Sequence, residues 1–170
     1  MDLARYIRDI PDFPKPGIVF KDITPLLAQP AAFRQAIHLM REHYQGQQID
    51  AVAAAEARGF LFAAPLALLM ELPLIPLRKP GKLPYRTRTL QYDLEYGSAE
   101  LQVHTDAVAE GARVLLVDDL LATGGTMQAG CQLIEKSGGK VAGCAFLVEL
   151  AFLQGREKLR PHSVFSLIQY

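Results

Sequence analysis

Apolar residues follow two patterns along the chain, helical spacings and short unbroken runs, and these patterns alternate. In residues 30–44 the apolar positions fall on one helical face, and Pro30 suits the first turn. Residues 51–55 instead form an unbroken apolar run, which is typical of a strand covered on both faces. In chain order, the pattern predicts a helix over 30–44, a strand over 51–55, a helix over about 60–71, a strand over 72–77, strands over 88–94 and 99–104, a strand over 114–119, a helix from Gly124 to about Ser137, a strand over 141–150, a short helix near 152–159 and a strand over 163–168.

Alternation of buried strands with helices predicts an α/β fold with a mainly parallel sheet flanked by helices. The chain shows no repeat, low-complexity tract or linker, so residues 1–170 are predicted to form one domain. In such sheets, ligands bind beyond the carboxyl ends of the strands. Chemistry is therefore expected at 56–59, 78–82 and 118–126.

Composition and charge exclude several classes of protein. Half of the residues are hydrophobic and 21% are charged, which excludes wholesale disorder. The 18 basic and 18 acidic side chains leave no net charge, which argues against nucleic-acid or membrane-surface partners. The longest apolar stretch, 59–70, is interrupted by Pro65 and is too short to span a membrane.

Localisation is predicted from the N-terminus and the cysteines. The first ten residues lack the apolar core that a secretory signal needs. Cys131 and Cys144 have no metal-binding or redox spacing, so two reduced core thiols are expected. These features predict a soluble cytoplasmic protein.

The most specific motif is VLLVDDLLATGGT, residues 114–126. Small residues at a helix start leave backbone amides uncovered, and the helix dipole adds positive potential, so the loop suits a phosphate. The carboxylates of Asp118 and Asp119 would repel a phosphate and instead fit sugar hydroxyls or a metal carried by the ligand. A phosphorylated sugar satisfies both halves of the motif. No lysine follows the glycines, which excludes a Walker loop.

Two further segments favour an anionic ligand. Residues 56–59 leave a strand and enter a helix, which again exposes amides at a helix start. Between Arg78 and Arg88 there are five basic residues and no acidic one, and Pro80 and Gly81 make the segment a loop. A mobile basic loop of this kind neutralises a charged ligand and expels water on closing. The alternative is a plain charged surface loop.

Residues 114–126 resemble the ribose-phosphate signature of the type I phosphoribosyltransferases, which bind 5-phosphoribosyl-1-pyrophosphate (PRPP). Other segments resemble that family in order and spacing, and in particular its members that use adenine. The resemblance covers nearly the whole chain. These segments are FPKPGIVFKDITPLL (13–27), EARGFLF (56–62), RKPGKLP (78–84), LEYGSAEL (94–101) and VEL followed by GREKL (148–159).

The resemblance implies a purine-salvage transferase that converts adenine and PRPP to AMP and pyrophosphate. It implies Mg²⁺ bound through the substrate without direct protein ligands, and a cytoplasmic homodimer. Within the type I fold, it implies a small N-terminal hood over 1–30 that recognises the base, and a flexible basic loop and hairpin over 78–104. Two alternatives are the same chemistry on hypoxanthine or guanine, and a regulator that binds PRPP without turnover. The regulator is disfavoured because the loop glutamate and the basic loop are both present.

Residue roles follow from the same resemblance. Glu95 acts on the base as general acid/base, although alone it would fit an ordinary hairpin position. Phe20 stacks on adenine, although its pattern also fits a core position, and Leu150 likewise fits either the base pocket or the core. Lys21 stands where many members have arginine, which puts any role of its side chain in doubt. The resemblance also implies a cis peptide bond between Glu56 and Ala57, in the loop that holds pyrophosphate. The residues implied to contact the phosphoribosyl group are Asp118, Asp119, Ala122, Thr123, Gly124, Gly125 and Thr126. Those implied to contact pyrophosphate are Ala57, Arg58, Gly59, Arg78, Lys79, Lys82 and Tyr96, and those implied to contact adenine are Val19, Phe20, Lys21 and Leu150.

Overall fold

Strands and helices alternate through most of the chain in the computed structural model, which describes residues 1–93 and 97–170. Short 3-10 helices occur at Leu3–Tyr6, Ala151–Leu153 and Gly155–Leu159. The regular elements are β1 (Arg8–Ile10), β2 (Phe20–Asp22), α1 (Thr24–Ala28), α2 (Pro30–His43), β3 (Ala51–Ala55), α3 (Gly59–Met70), β4 (Leu74–Leu77), β5 (Thr87–Asp93), β6 (Ser98–His104), β7 (Arg113–Leu121), α4 (Gly125–Lys136), β8 (Lys140–Glu149) and β9 (Val164–Gln169).

The central sheet is parallel and is covered on both faces. Within the described residues it has five strands in the order β4-β3-β7-β8-β9. Successive side chains of a strand point to opposite faces. Accordingly, Val52 and Ala54 pack in one core cluster with α2 and α3, whereas Ala51 and Ala53 pack in a second cluster with α4. This confirms the predicted α/β architecture and the two-sided burial of residues 51–55.

The predicted hairpin is confirmed as β5 and β6, which pair antiparallel from Thr87–His104 to Asp93–Ser98. Residues 94–96, which include the last residue of the predicted first strand and the start of the predicted turn, lie outside the described residues. The pattern did not predict β1, β2 or α1, which are three to five residues long. Such short elements carry little periodic signal.

The short helix predicted near 152–159 is confirmed as helical backbone but not as one continuous helix. The chain forms 3-10 helices at Ala151–Leu153 and Gly155–Leu159 instead. Gln154, between them, has a φ of 53°, in the left-handed region. A right-handed α-helix cannot continue through a residue in that conformation.

Strand β7 extends beyond its predicted end, and this extension positions the acidic residues. Its pairing with β3 ends at Val117, whereas its pairing with β8 continues to Leu121. Asp118 and Asp119 therefore lie on the part of β7 that projects past β3. They are thus beyond the carboxyl end of β3, which is where parallel sheets bind their ligands.

Both cysteines are free thiols in the core, as predicted. Cys131 of α4 and Cys144 of β8 are buried in the second core cluster, with their sulfur atoms 3.6 Å apart as thiols.

In the part of the chain that the structure describes, no helix has the length and apolar character needed to cross a bilayer.

Candidate active site

The loops that follow β3, β4 and β7 meet at one edge of the sheet, because these strands are neighbours and parallel. A cavity of about 430 Å³ lies between them. The structure thus brings together the segments around 56–59, 78–82 and 118–126. The cavity is lined by Glu56, Ala57, Arg58, Lys79, Asp118, Asp119, Leu120, Leu121, Ala122, Thr123, Gly124, Gly125, Thr126 and Met127.

Residues 122–126, called the phosphate loop below, end at the start of α4. Gly124 has a φ of +83°, and its carbonyl accepts the first helical hydrogen bond from the Gln128 N–H at 2.9 Å. The first N–H groups of a helix have no acceptor within the helix. In α4 these groups belong to residues that line the cavity, so they are available to an anion there.

Asp118 and Asp119 are both near the cavity, but their environments differ. Asp119 is 5% exposed, and its Oδ2 accepts a hydrogen bond from Arg58 Nε at 2.5 Å. Asp118 Oδ1 accepts from the Asp119 N–H at 2.8 Å. Burial, followed by the adjacent Asp119 carboxylate, raises the pKa of Asp118 well above its ordinary value. The pair therefore presents one carboxylate neutralised by Arg58 and one that is strongly desolvated.

Gly59, at the start of α3, packs tightly beneath Asp118. A Cβ at this position would lie 2.9 Å from Asp118 Oδ1 and 3.1 Å from the Val117 carbonyl oxygen. Gly59 is buried, whereas Ala57 and Arg58 are exposed. Its small size thus brings the helix start close to the acidic strand.

Glu56 joins the loop after β3 to the basic loop after β4. Its Oε1 accepts from the Lys79 N–H at 2.7 Å and from Arg78 Nε at 3.2 Å. The bond from the Lys79 backbone, with smaller contributions from Arg78, lowers the pKa of Glu56. The Glu56–Ala57 peptide is cis, as the resemblance implies. Lys82 is exposed and its carbonyl faces Arg78 Nη1 at 3.5 Å.

The predicted adenine-binding residues lie in the N-terminal segment and, for Leu150, directly after the end of β8. Phe20 begins β2 and is half-buried; its ring contacts Phe13 edge-to-face at 5.2 Å. The Arg58 guanidinium carbon is 5.9 Å from the centre of the Phe20 ring. Arg58 therefore links the aromatic face of Phe20 to Asp119. Val19 is 48% exposed.

Lys21 has partners that the sequence did not indicate. Its Nζ is 2.7 Å from Asp9 Oδ1 and 3.7 Å from the centre of the Tyr170 ring. The Lys21 side chain thus ties β2 to β1 and to the C-terminal residue. Leu150 is half-buried against the first core cluster, and its N–H donates to the Leu121 carbonyl at 2.9 Å.

Glu95 and Tyr96 lie outside the described residues, so their roles remain predictions. The strand that leads to them nevertheless ends at the phosphate loop: a Cβ at Gly125 would lie 4.0 Å from the Asp93 carbonyl oxygen. Asp93, the last residue of β5, therefore lies next to the phosphate loop.

Neither the contacts of Glu56 nor the ion pair between the buried Glu149 and the partly exposed Arg156 was predicted from the sequence. The available signal was a glutamate that ends an otherwise apolar strand, because a buried carboxylate requires a partner. In the described part of the chain, no group of three or more His, Cys, Asp or Glu side chains is arranged to hold a metal ion.

Comparison with known proteins identifies the family. The phosphoribosyl transferase domain family matches residues 22–168. The chain is 59% identical to the adenine phosphoribosyltransferase of Chloroflexus aurantiacus, over 99% of this chain and 98% of that protein. The crystal structure of adenine phosphoribosyltransferase from Thermoanaerobacter pseudethanolicus is 51% identical, with a TM-score of 0.97 over 99% and 98% of the two chains.

A further similar structure contains bound ligands. It is adenine phosphoribosyltransferase from Saccharomyces cerevisiae complexed with adenine and an imino-altritol bisphosphate; it is 36% identical, with a TM-score of 0.92 over 98% of this chain and 96% of that one. These similarities extend over the sheet, the cavity and the hairpin. The chain therefore belongs to the adenine phosphoribosyltransferases, within the phosphoribosyl transferase domain family.

Proposed function

We propose that this protein converts adenine and PRPP to AMP and pyrophosphate. The observation that carries the proposal is the cavity in which the phosphate loop, the Asp118–Asp119 pair and the basic Lys79 meet. A helix start suits the 5-phosphate, carboxylates suit ribose hydroxyls, and cations suit pyrophosphate. The similar yeast enzyme binds adenine together with a sugar-like bisphosphate, which fits the same division of the cavity.

In the proposed reaction, a ring nitrogen of adenine forms the bond to the anomeric carbon while the bond from that carbon to pyrophosphate breaks. Configuration inverts through an oxocarbenium-like state. The phosphate loop with Asp118 and Asp119 fixes the phosphoribosyl group, which supplies orientation. Glu95, as general acid/base, accepts the proton that the attacking ring nitrogen of adenine loses. Pyrophosphate is received by Ala57, Arg58, Gly59, Arg78, Lys79, Lys82 and Tyr96.

Binding of pyrophosphate is expected to break the ion pair between Arg58 and Asp119. In the structure its guanidinium is held by Asp119. Pyrophosphate competes for the same guanidinium, because it carries more negative charge than one carboxylate. Transfer of Arg58 to pyrophosphate releases Asp119 for the ribose hydroxyls, so the two halves of PRPP bind in concert.

We propose that Mg²⁺ enters this site bound to the substrate. Mg²⁺ prefers oxygen ligands and typically keeps several waters while it binds substrate phosphates. PRPP and water supply its ligands in this proposal, and no side chain binds it directly. When bound, the ion neutralises charge on the departing pyrophosphate.

Other expectations from the resemblance also stay proposals. We propose that residues 1–170 act as one domain in which 1–30 form the hood and 78–104 the loop that covers PRPP. Contacts of Lys21 with Asp9 and Tyr170 support a hood fixed to the rest of the chain. We also propose a cytoplasmic homodimer; Leu61 and Leu68 of α3 are 43% and 81% exposed, and exposed apolar surface is common at subunit contacts.

Formation of AMP and pyrophosphate from adenine, PRPP and Mg²⁺ tests the proposed function. Both products are expected in equal amounts, and none when PRPP or Mg²⁺ is omitted. An unrelated protein purified from the same host controls for a contaminating host enzyme. Binding of PRPP without formation of any nucleotide would contradict the proposal and favour the regulator.

Phe20 provides a test of the base-binding face. Phe20→Leu is expected to raise KM for adenine roughly tenfold or more, since stacking is worth about 1–3 kcal/mol per base. Phe20→Tyr keeps the aromatic face and is the matched control, with KM for adenine close to that of the wild type. KM for PRPP is measured in parallel and is expected to change little. Equal KM values for adenine in both variants would remove Phe20 from base recognition.

A further inference from the structure

The phosphate loop is supported by backbone that lies about 30 residues further along the chain. A Cβ at Gly124 would lie 2.5 Å from the Gly155 carbonyl oxygen, and a Cβ at Gly155 would overlap the Ala122 carbonyl oxygen. Gly124 and Gly155 are both buried. The two backbones are in direct contact, so a displacement of Gly155 is transmitted to the phosphate loop.

Arg156, the next residue, is held in place by a bidentate ion pair. Its Nε and Nη2 donate to the carboxylate oxygens of Glu149 at 3.0 and 2.5 Å, and its Nη1 donates to the Val164 carbonyl at 2.8 Å. A bidentate guanidinium–carboxylate pair fixes orientation as well as distance. Arg156 thus fastens the turn that carries Gly155 to β8 and β9.

Glu149 is itself firmly placed. It is the last residue of β8, is 4% exposed, and its Oε2 also accepts from Ser166 Oγ at 2.6 Å and from Gln169 Nε2 at 3.3 Å. The hydrogen bonds from Arg156, foremost, lower the pKa of Glu149. The carboxylate is therefore an ionised, rigid anchor at the end of the sheet beside the phosphate loop.

The far end of the same 3-10 helix is anchored separately. Leu159 is 1% exposed and packs in the second core cluster with Met127 and Cys131 of α4. In contrast, the Arg160–Glu157 pair of this segment has side chains 74% and 56% exposed. Exposed ion pairs contribute little to the free energy of unfolding, so Arg160 provides a matched control for Arg156.

We propose that Arg156 and Glu149 are positioning residues: they hold Gly155 against the phosphate loop and so fix the amides that receive the 5-phosphate of PRPP. Neither side chain lines the cavity. The inference rests on the proposed function of that cavity. It predicts that loosening the ion pair weakens binding of the phosphoribosyl group and leaves adenine recognition intact.

The test compares Arg156→Met with Arg160→Met, using AMP affinity by calorimetry, KM for PRPP, KM for adenine and the melting temperature. For Arg156→Met we expect a rise of about tenfold in Kd for AMP and in KM for PRPP, and less than twofold in KM for adenine. Arg160→Met is expected to match the wild type. Arg156→Lys keeps the charge without the planar fork, and is expected to raise KM for PRPP by a smaller factor.

A merely structural role would lower the melting temperature with KM for PRPP and Kd for AMP unchanged in the folded enzyme, and that result would overturn the inference. If Arg156→Met does not fold, Arg156→Lys decides, and a wild-type KM for PRPP in that variant overturns it equally. The wild-type protein is assayed alongside the variants. If it binds PRPP and forms AMP, the proposed function holds, and the variant results bear only on Arg156 and Glu149. Absence of activity in the wild type would instead overturn both.

Discussion

Glu95→Ala is expected to lower kcat by about 10²–10⁴-fold and to leave the affinity for PRPP nearly unchanged. General acid/base groups contribute factors of this size, whereas we propose that the phosphate loop and the acidic pair bind the phosphoribosyl group. Glu95→Gln keeps a hydrogen-bonding side chain but cannot exchange a proton, so its kcat should fall nearly as far. Single-turnover measurements with saturating PRPP would separate the chemical step from product release.

Glu100→Ala is the matched control, because Glu100 is an exposed residue of the same hairpin, in β6. It is expected to keep wild-type kcat. A Glu95→Ala enzyme with unchanged kcat would exclude Glu95 from the reaction. A variant that loses PRPP affinity as strongly as kcat would instead assign Glu95 a binding role.

Gly124→Ala is expected to lower kcat/KM for PRPP by at least about 100-fold. Two effects combine: the φ of +83° disfavours any side chain, and the new Cβ would lie 2.5 Å from the Gly155 carbonyl oxygen, which belongs to fixed backbone. The left-handed conformation alone costs about 1–2 kcal/mol. The collision adds to this cost and displaces the helix start that we propose as the site of the 5-phosphate.

Gly46→Ala separates the two effects, since Gly46 has a φ of +80° but no atom within 4 Å of its Cβ position. It should lower the melting temperature through the backbone effect and leave PRPP affinity at the wild-type value. Calorimetric titration of both variants with AMP measures the difference. Wild-type affinity for AMP in Gly124→Ala would show that the phosphate loop does not bind the phosphoribosyl group.

The sequence is most informative where function depends on neighbouring residues in the chain. The run from Asp118 to Thr126 contains a strand end, an acidic pair and a helix start, and local propensity fixes all of these. Because parallel strands bring their carboxyl ends to one edge, residues 56–59 and 78–82 were expected beside them. Residues from these segments do line one cavity, so this part of the site was predictable from the sequence alone.

Contacts between distant segments were not predictable in the same way. The pairing of Lys21 with Asp9 and Tyr170 requires both ends of the chain to meet, and only the completed sheet brings them together. Glu149 likewise gives no indication of its three side-chain partners, Arg156, Ser166 and Gln169, until β9 is placed beside β8. The interruption of the helix predicted near 152–159 was not predictable, because apolar spacing does not reveal the left-handed residue Gln154.

Selection among purine bases tests the central claim most directly. The protein is supplied with PRPP, Mg²⁺ and an equimolar mixture of adenine, hypoxanthine and guanine, and the nucleotides are separated and quantified at early times. AMP is expected to exceed the other nucleotides by at least tenfold, because an oxo group in place of the exocyclic amine reverses hydrogen-bond donors and acceptors. Inosine or guanosine monophosphate as the main product would contradict the adenine assignment.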